Sequence, residues 1–375
     1  MNDNDIITWY RLPWTAVNNP NGWIEPTTYC QLKCPGCYRG CDQDEHKPVH
    51  MPLEEALREV DFLIRERNIQ TLSISGGDPL LYPDLFGLIA YASSKGLRTM
   101  VFTNGIVLDE KKLELLKING ATQVIIHVDK FQERTRYNKP EDLNNLRSTY
   151  CNLFRKVGGI NLGFIQPLTT DCLQDLNILN RFFSQNRDCI NLVIYTLYRE
   201  INWNHNKKPE IDTSIAMGDV LETLERTGFF TPASYLPGTI RTDEPAWAFS
   251  YSIGTQKKIL GFLDGKLYER LQSRYFQHNK RYFFISASNR VGRWGLLKLS
   301  GYRSVRDIII RGVLSFRFFM RLYFQTYLVI RGPLKSGETW DLCDGCPDAM
   351  VYKNNLVPSC ILEELKRNPV HRKIQ

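Results

Sequence analysis

The chain has 375 residues, 43% of them hydrophobic and 23% charged, the balance of a soluble globular protein with one large domain and appendages. Met1-Asn-Asp-Asn-Asp is acidic and no apolar run follows it, which argues against a secretory signal. The expectation is a cytoplasmic chain whose ten cysteines stay reduced, so that metal or cluster ligation is favoured over disulfides. The formal charge of +8 is uneven: residues 266–335 hold fifteen Lys and Arg against Glu269 and Asp307, a net of +13 that leaves −5 elsewhere.

Residues 1–22 read as an N-terminal extension. Across 23–200, short apolar runs alternate with helical patterns. Strands are predicted at Trp23–Thr28, Thr71–Ser75, Arg98–Thr103, Thr122–Asp129, Ile160–Pro167 and Ile190–Tyr198. Helices are predicted near Leu53–Arg67, Leu85–Lys95, Glu110–Lys117, Leu143–Val157 and Cys172–Gln185. Pro52 before Leu53-Glu54-Glu55, and Pro83-Asp84 before Leu85, are helix-start signals. Runs such as Val124-Ile125-Ile126 suit parallel strands covered on both faces. The expected fold class is α/β, a partial (β/α)6 TIM-like barrel with its chemistry at the C-terminal strand ends. Residues 201–265, with Pro209, Pro232, Pro237 and Pro245, read as a connecting region with one helix near Met217–Thr227. Residues 266–335 read as a basic, aromatic, helical insertion, and 336–375 as a small cluster-binding tail.

Just past the first strand stands Cys30-Gln-Leu-Lys-Cys34-Pro-Gly-Cys37. Three thiolates on one loop can each bind one iron of a cubane and leave the fourth iron open. Zinc is the alternative, with Cys41 and His46 close enough to complete a site. The Cys-x3-Cys-x2-Cys pattern in this position resembles the signature of the radical S-adenosylmethionine (SAM) superfamily. That resemblance implies a [4Fe–4S] cluster on Cys30, Cys34 and Cys37, SAM bound at the open iron, and a 5′-deoxyadenosyl radical that abstracts hydrogen. One departure is Gly36, where the family usually places an aromatic residue; Tyr38 follows the third cysteine instead.

Further motifs support the resemblance. Ser75-Gly76-Gly77-Asp78-Pro79 is similar to the family's SAM-amino-group motif, with Asp in place of the commoner Glu. Glycines there expose backbone carbonyls that can accept from an ammonium group. Thr103-Asn104-Gly105 resembles the family's Thr-Asn-Gly element near the cofactor. His127 and Asp129 share one face at the end of the fourth strand, either as a satisfied core pair or as ribose or substrate contacts, and Gln166 is a weaker candidate of the same kind.

Near the C-terminus, Cys343-Asp-Gly-Cys346 is followed after thirteen residues by Cys360, with Asn354-Asn355 at an expected hairpin turn that returns Cys360 to the pair. This resembles the auxiliary-cluster tails of Twitch and SPASM radical SAM enzymes and implies a second [4Fe–4S] cluster. Zinc or structural thiols are the alternative, and a fourth ligand from Cys172, Cys189 or Cys41, or none, stays open. Cys151, Cys172 and Cys189 otherwise read as buried hydrophobes.

The run Val305–Ile330 is apolar but is broken by Arg306, Arg311, Arg317 and Arg321, so a spanning helix is costly. Three readings compete: a helical subdomain with snorkelling arginines, a membrane-surface helix beside a lipid substrate, and an RNA-binding surface, for which no known module is visible. The expected partners are SAM, an electron donor such as ferredoxin or flavodoxin, and a lipid or membrane surface on the inner face of the membrane. A peptide-modifying maturase and a non-catalytic zinc or cluster protein that binds RNA are the alternatives for the whole chain.

Overall fold

A computed structural model describes residues 9–42, 46–132, 134, 140–199, 215–284, 288–336 and 339–367. The acidic start, Pro209 and the charged C-terminal end lie outside the described residues. A short β1 (Tyr10–Arg11) precedes β2 (Asn21–Thr27), α1 (Leu53–Arg67), β3 (Thr71–Gly76), α2 (Leu85–Ser94), β4 (Arg98–Thr103) and α3 (Glu110–Ile118). Next come β5 (Ala121–His127), α4 (Pro140–Val157), β6 (Asn161–Leu168), α5 (Leu176–Gln185) and β7 (Ile190–Leu197). The six predicted strands and the helices between them are all present, with ends shifted by up to four residues.

Local chemistry explains these elements. Helix α1 follows Pro52, carries Glu54 and Glu55 in its first turn and Arg65 and Arg67 in its last, and so complements its own dipole. Its buried positions Ala56, Val60, Leu63 and Arg67 recur at helical spacing, and Asn68 ends it in the left-handed region at φ 52°. Asp109 caps α3 by accepting from Lys112 N at 2.7 Å.

After β7 come α6 (Met217–Arg226), β8 (Ser234–Pro237), β9 (Pro245–Gly254), β10 (Ile259–Phe262), α7 (Gly265–Asn279) and β11 (Arg290–Val291). Then follow α8 (Arg293–Lys298), α9 (Arg303–Leu314) and β12 (Leu322–Ile330). The tail holds β13 (Leu334–Ser336), β14 (Thr339–Asp341), β15 (Ala349–Tyr352), β16 (Asn355–Pro358) and α10 (Leu362–Arg367).

Strands β2 to β7 lie side by side in chain order, all parallel. The sheet then runs on through β12, parallel to β7, and through β9, β8 and β1. Two expectations are corrected here. The region 201–265 is not merely a connector, because β9 is a sheet strand buried at all ten positions. The basic segment is not a helical insertion throughout, because Leu322–Ile330 is an interior strand between β7 and β9. An apolar run alone does not separate a buried strand from a helix; here Tyr323, Thr326, Tyr327, Val329 and Ile330, aromatic or β-branched, favour the strand.

The sheet has two ends, β1 and β2, and the tail bridges them. On the β8–β1 side, Thr239 N donates to Leu342 O and Asp344 N to Pro237 O, both at 2.9 Å, while Arg11 pairs with Asp344 at 3.0 Å. On the β2 side, Asn19 Nδ2 donates to Gly345 O at 2.8 Å and Asn21 Nδ2 to Pro347 O at 3.2 Å. The buried Arg67 guanidinium donates to the carbonyls of Asn21 and Cys346. Trp23 on β2 packs with Leu342, Met350, Val357, Ile361 and Leu362 of the tail. The opening of the partial barrel is thus filled by the tail rather than by further strands.

Candidate active site

All six parallel strands end on one side, and the residues after β2, β3, β4 and β5 meet there. The chain leaving β2 is fixed first. Gly77 N donates to Thr27 O at 2.8 Å and Asp78 N to Tyr29 O at 2.6 Å. A Cβ on Gly76 would lie 2.2 Å from Thr27 O, and one on Gly77 2.1 Å from Tyr29 O. The two glycines are therefore required by the close approach of the strand that leads into the cysteine loop, a reason the sequence did not supply.

Asp78 is wholly buried and its carboxylate is engaged internally. It accepts from Leu80 N at 3.0 Å, capping the turn that Pro79 begins, and from Thr103 Oγ1 at 2.8 and 3.0 Å. Burial raises its pKa, and these donors oppose the rise. Asp78, Pro79 and Thr103 thus hold β3 to β4.

Asn104 reaches the cysteine loop. Its Nδ2 donates to Gln31 Oε1 at 2.8 Å and lies 3.8 Å from Cys30 Sγ, while its Oδ1 accepts from Ile106 N at 2.9 Å. Leu32 N also points at Cys30 Sγ, at 3.5 Å. Two N–H donors on one sulfur favour its thiolate, but burial outweighs them and the Cys30 pKa is raised. Hydrogen bonding from Cys41 lowers the Cys37 pKa to about 7 against the effect of burial, and Cys41 is correspondingly raised. Cys41 Sγ points to Thr28 O at 3.6 Å, and His46 Nε2 meets the same carbonyl at 3.0 Å. Burial raises Cys34, whose neighbours include Asp129, Cys37 and Cys30.

His127 and Asp129 contact each other directly. Asp129 is buried and also accepts from Phe131 N at 2.5 Å, whereas His127 is partly exposed. Burial pushes the Asp129 pKa up, but His127, Phe131 N and Arg147 outweigh it and hold the carboxylate below its ordinary value. Gln166 is a scaffold residue: Arg147 Nη2 donates to its Oε1 and to Val128 O, both at 2.7 Å.

Sequence reasoning missed Gln31, Arg134, Arg147 and Tyr198. Arg134 donates to the carbonyls of Asn104 and His127 and so joins two strand ends. Tyr198 follows β7, and its hydroxyl would lie 2.4 Å from a Cβ on Gly36. Gly36 sits at φ 68°. The space beside Gly36 is thus taken by a tyrosine from the far side of the barrel, while the Tyr38 hydroxyl bonds Glu25 at 2.8 Å. A lone exposed-looking Arg or Tyr carries no motif, so no sequence signal marked them.

In the tail, Cys343, Cys346 and Cys360 line one small cavity with Trp247, Ile330 and Asp348. The hairpin does return Cys360 to the pair, but the turn is Lys353-Asn354, at φ 49° and 63°, and Asn355 opens β16. Contact with Cys346 and burial raise Cys343, and burial foremost raises Cys360. Cys172 instead meets Thr169 Oγ1 at 3.1 Å, and Cys189 lies beside Cys151, so neither lines this cavity. Among the described residues, no three His, Cys, Asp or Glu side chains close on a single ion. A cubane places each thiolate on its own iron, and both three-thiol sets fit that donor chemistry.

Residues 24–160, which carry the cysteine loop and the strand ends through β5, match the family model described as radical SAM superfamily. They are a radical SAM domain. Members of this superfamily use a [4Fe–4S] cluster and SAM. Similar curated proteins include an AdoMet-dependent heme synthase of Methanosarcina barkeri, 30% identical over 30% of this chain and 32% of its own. A probable GTP 3′,8-cyclase of Methanococcus maripaludis is 30% identical over 39% of this chain and 48% of its own. The chain therefore spans less than half the length of either relative. Among solved structures, Streptococcus suis SuiB bound to S-adenosylmethionine covers 56% of this chain and 47% of its own, with TM-score 0.45 and 17% identity.

Proposed function

We propose that the chain is a radical SAM enzyme that cleaves SAM reductively at Cys30, Cys34 and Cys37 and abstracts hydrogen from a substrate held at the C-terminal strand ends. The observation that carries this is the convergence of the three-thiol loop with Gly76, Gly77 and Asn104 at one end of six parallel strands. The cluster, when bound, supplies the electron that generates a 5′-deoxyadenosyl radical from SAM. Asn104 and Leu32 N would stabilise charge on the Cys30 sulfur, and the Gly76–Gly77 backbone would accept from the SAM amine. His127, fixed by buried Asp129 and partly exposed, would make the ribose or substrate contact. Cys343, Cys346 and Cys360 would hold an auxiliary cluster between the two ends of the sheet. An external donor, ferredoxin or flavodoxin, would supply the electrons.

A lipid substrate was expected from the basic segment, but its residues 293–321, which carry seven of its fifteen Lys and Arg, lead into the sheet at Leu322, the start of β12. Ile330, at its other end, pairs beside Thr196 at the mouth. Eight residues of strand separate them, about 26 Å. Residues 293–321 thus do not line the mouth, and the proposed substrate is a molecule held at the C-terminal strand ends. The test is anaerobic reconstitution with iron and sulfide, reduction by dithionite and assay of 5′-deoxyadenosine with Cys34→Ala as control. Product from the parent chain alone supports the reading; zinc retained in place of iron, with no product, overturns it.

A further inference from the structure

Of the fifteen large hydrophobic side chains exposed among the described residues, eight fall within residues 294–320. Trp294 is 79% exposed, Leu314 76%, Phe316 83% and Phe319 68%. They belong to one surface, because Arg293 at the start of α8 donates to the carbonyls of Phe318, Phe319 and Met320 after α9. Helix α9 is apolar on two sides. Val305, Ile308 and Gly312 face the core, with Ile308 against Gly261 of β10, while Ile310, Val313 and Leu314 face outward. Exposed Arg306 and Arg311 stand among the outward positions. Residues 293–321 carry seven Lys and Arg against Asp307 alone.

Phe316 sharpens the point. It ends α9 at φ 55°, a left-handed position that favours Gly or Asn and is an outlier for a bulky residue. Neither backbone preference nor packing accounts for an aromatic ring there. We propose that α8, α9 and the loop after α9 dock this protein on an anionic bilayer, with the rings in the interface and the arginines at lipid headgroups. Apolar tips interleaved with unpaired-in-sign cations suit that interface, where both are favourable together. The surface lies at the end of the sheet away from the mouth, so docking leaves the mouth open to solution. The inference goes beyond the proposed reaction and does not rest on it.

The test is co-sedimentation of the full chain with phosphatidylcholine vesicles, with and without about 30% phosphatidylglycerol. The parent chain is expected to partition onto the anionic vesicles and to be released by high salt. Arg306→Glu/Arg311→Glu/Arg321→Glu should lower that partition on the order of 100-fold. Trp294→Ser/Phe316→Asn should lower it with the charge unchanged, and Asn suits the left-handed position, so that chain stays folded. Retained 5′-deoxyadenosine production by both variants keeps failure of docking separate from failure of the enzymatic reading. The proposal is overturned if the parent chain ignores anionic vesicles or if both variants bind as it does. It is equally overturned if the same residues instead make a dimer or bind RNA without any vesicle binding.

Discussion

Replacing Gly36 with Ala tests whether the cysteine loop is shaped by the far side of the barrel. Two costs apply. At φ 68° an L-residue is disfavoured by about 1–2 kcal/mol. The new methyl would also lie 2.4 Å from Tyr198 Oη and 2.9 Å from its Cζ, and overpacking of this kind costs about 1–3 kcal/mol. Tyr198 is 7% exposed and its ring packs 5.5 Å from that of Phe131, so it cannot simply swing away. The expected total is about 2–5 kcal/mol. In a Tyr198→Ala background only the backbone cost remains, so a double-mutant cycle should show about 1–3 kcal/mol of coupling. Urea unfolding of the four apo-proteins, followed by circular dichroism, measures it. Additive losses, or a loss below about 1 kcal/mol for Gly36→Ala alone, would refute the reasoning.

Arg39 is buried and pairs with Glu25 of β2 at 2.8 Å and Glu363 of α10 at 2.5 Å. Arg39→Met leaves the fully buried Glu25 carboxylate without its cation and should cost about 3–5 kcal/mol, partly recovered by adding Glu25→Gln; faster protease cleavage of the tail is the companion readout. Asn104→Ala removes a donor to Cys30 Sγ and should lower the cluster's reduction potential at unchanged iron content, measured by a redox titration followed by electron paramagnetic resonance. Glu59 is raised from 4.5 to about 8 by burial first, then by Glu55 and Glu25. The folded state therefore keeps a proton that the unfolded state loses. Stability from this group is full below about pH 4.5 and falls as pH rises to about 8, by a few kcal/mol. Glu59→Gln should flatten that slope in denaturant titrations and stabilise the protein at pH 8; an unchanged profile would count against the burial.

Much of the candidate site was legible because its motifs are local. Cys30, Cys34 and Cys37 share one loop, and Gly76-Gly77-Asp78 and Thr103-Asn104-Gly105 each follow a strand directly. Their roles were less legible. Asp78 proved to be a buried brace between β3 and β4, and Gln166 a partner of Arg147, because burial and hydrogen bonds depend on neighbours distant in the chain. The partner of Gly36 is Tyr198, more than 150 residues away.

By itself, the sequence determined the six βα units, the parallel register they impose and the end of the sheet where chemistry gathers. Apolar period, helix-start residues and ligand spacing are all written within a few residues of one another. Only the tertiary structure decided that Leu322–Ile330 is a strand beside β7, that the tail bridges β1 and β2, and that residues 293–321 lie away from the mouth. Each of those is a pairing between segments far apart in the chain. An apolar run states that it will be buried, but which partner buries it is settled by the competition for the edge of β7 and for the gap between the two ends of the sheet.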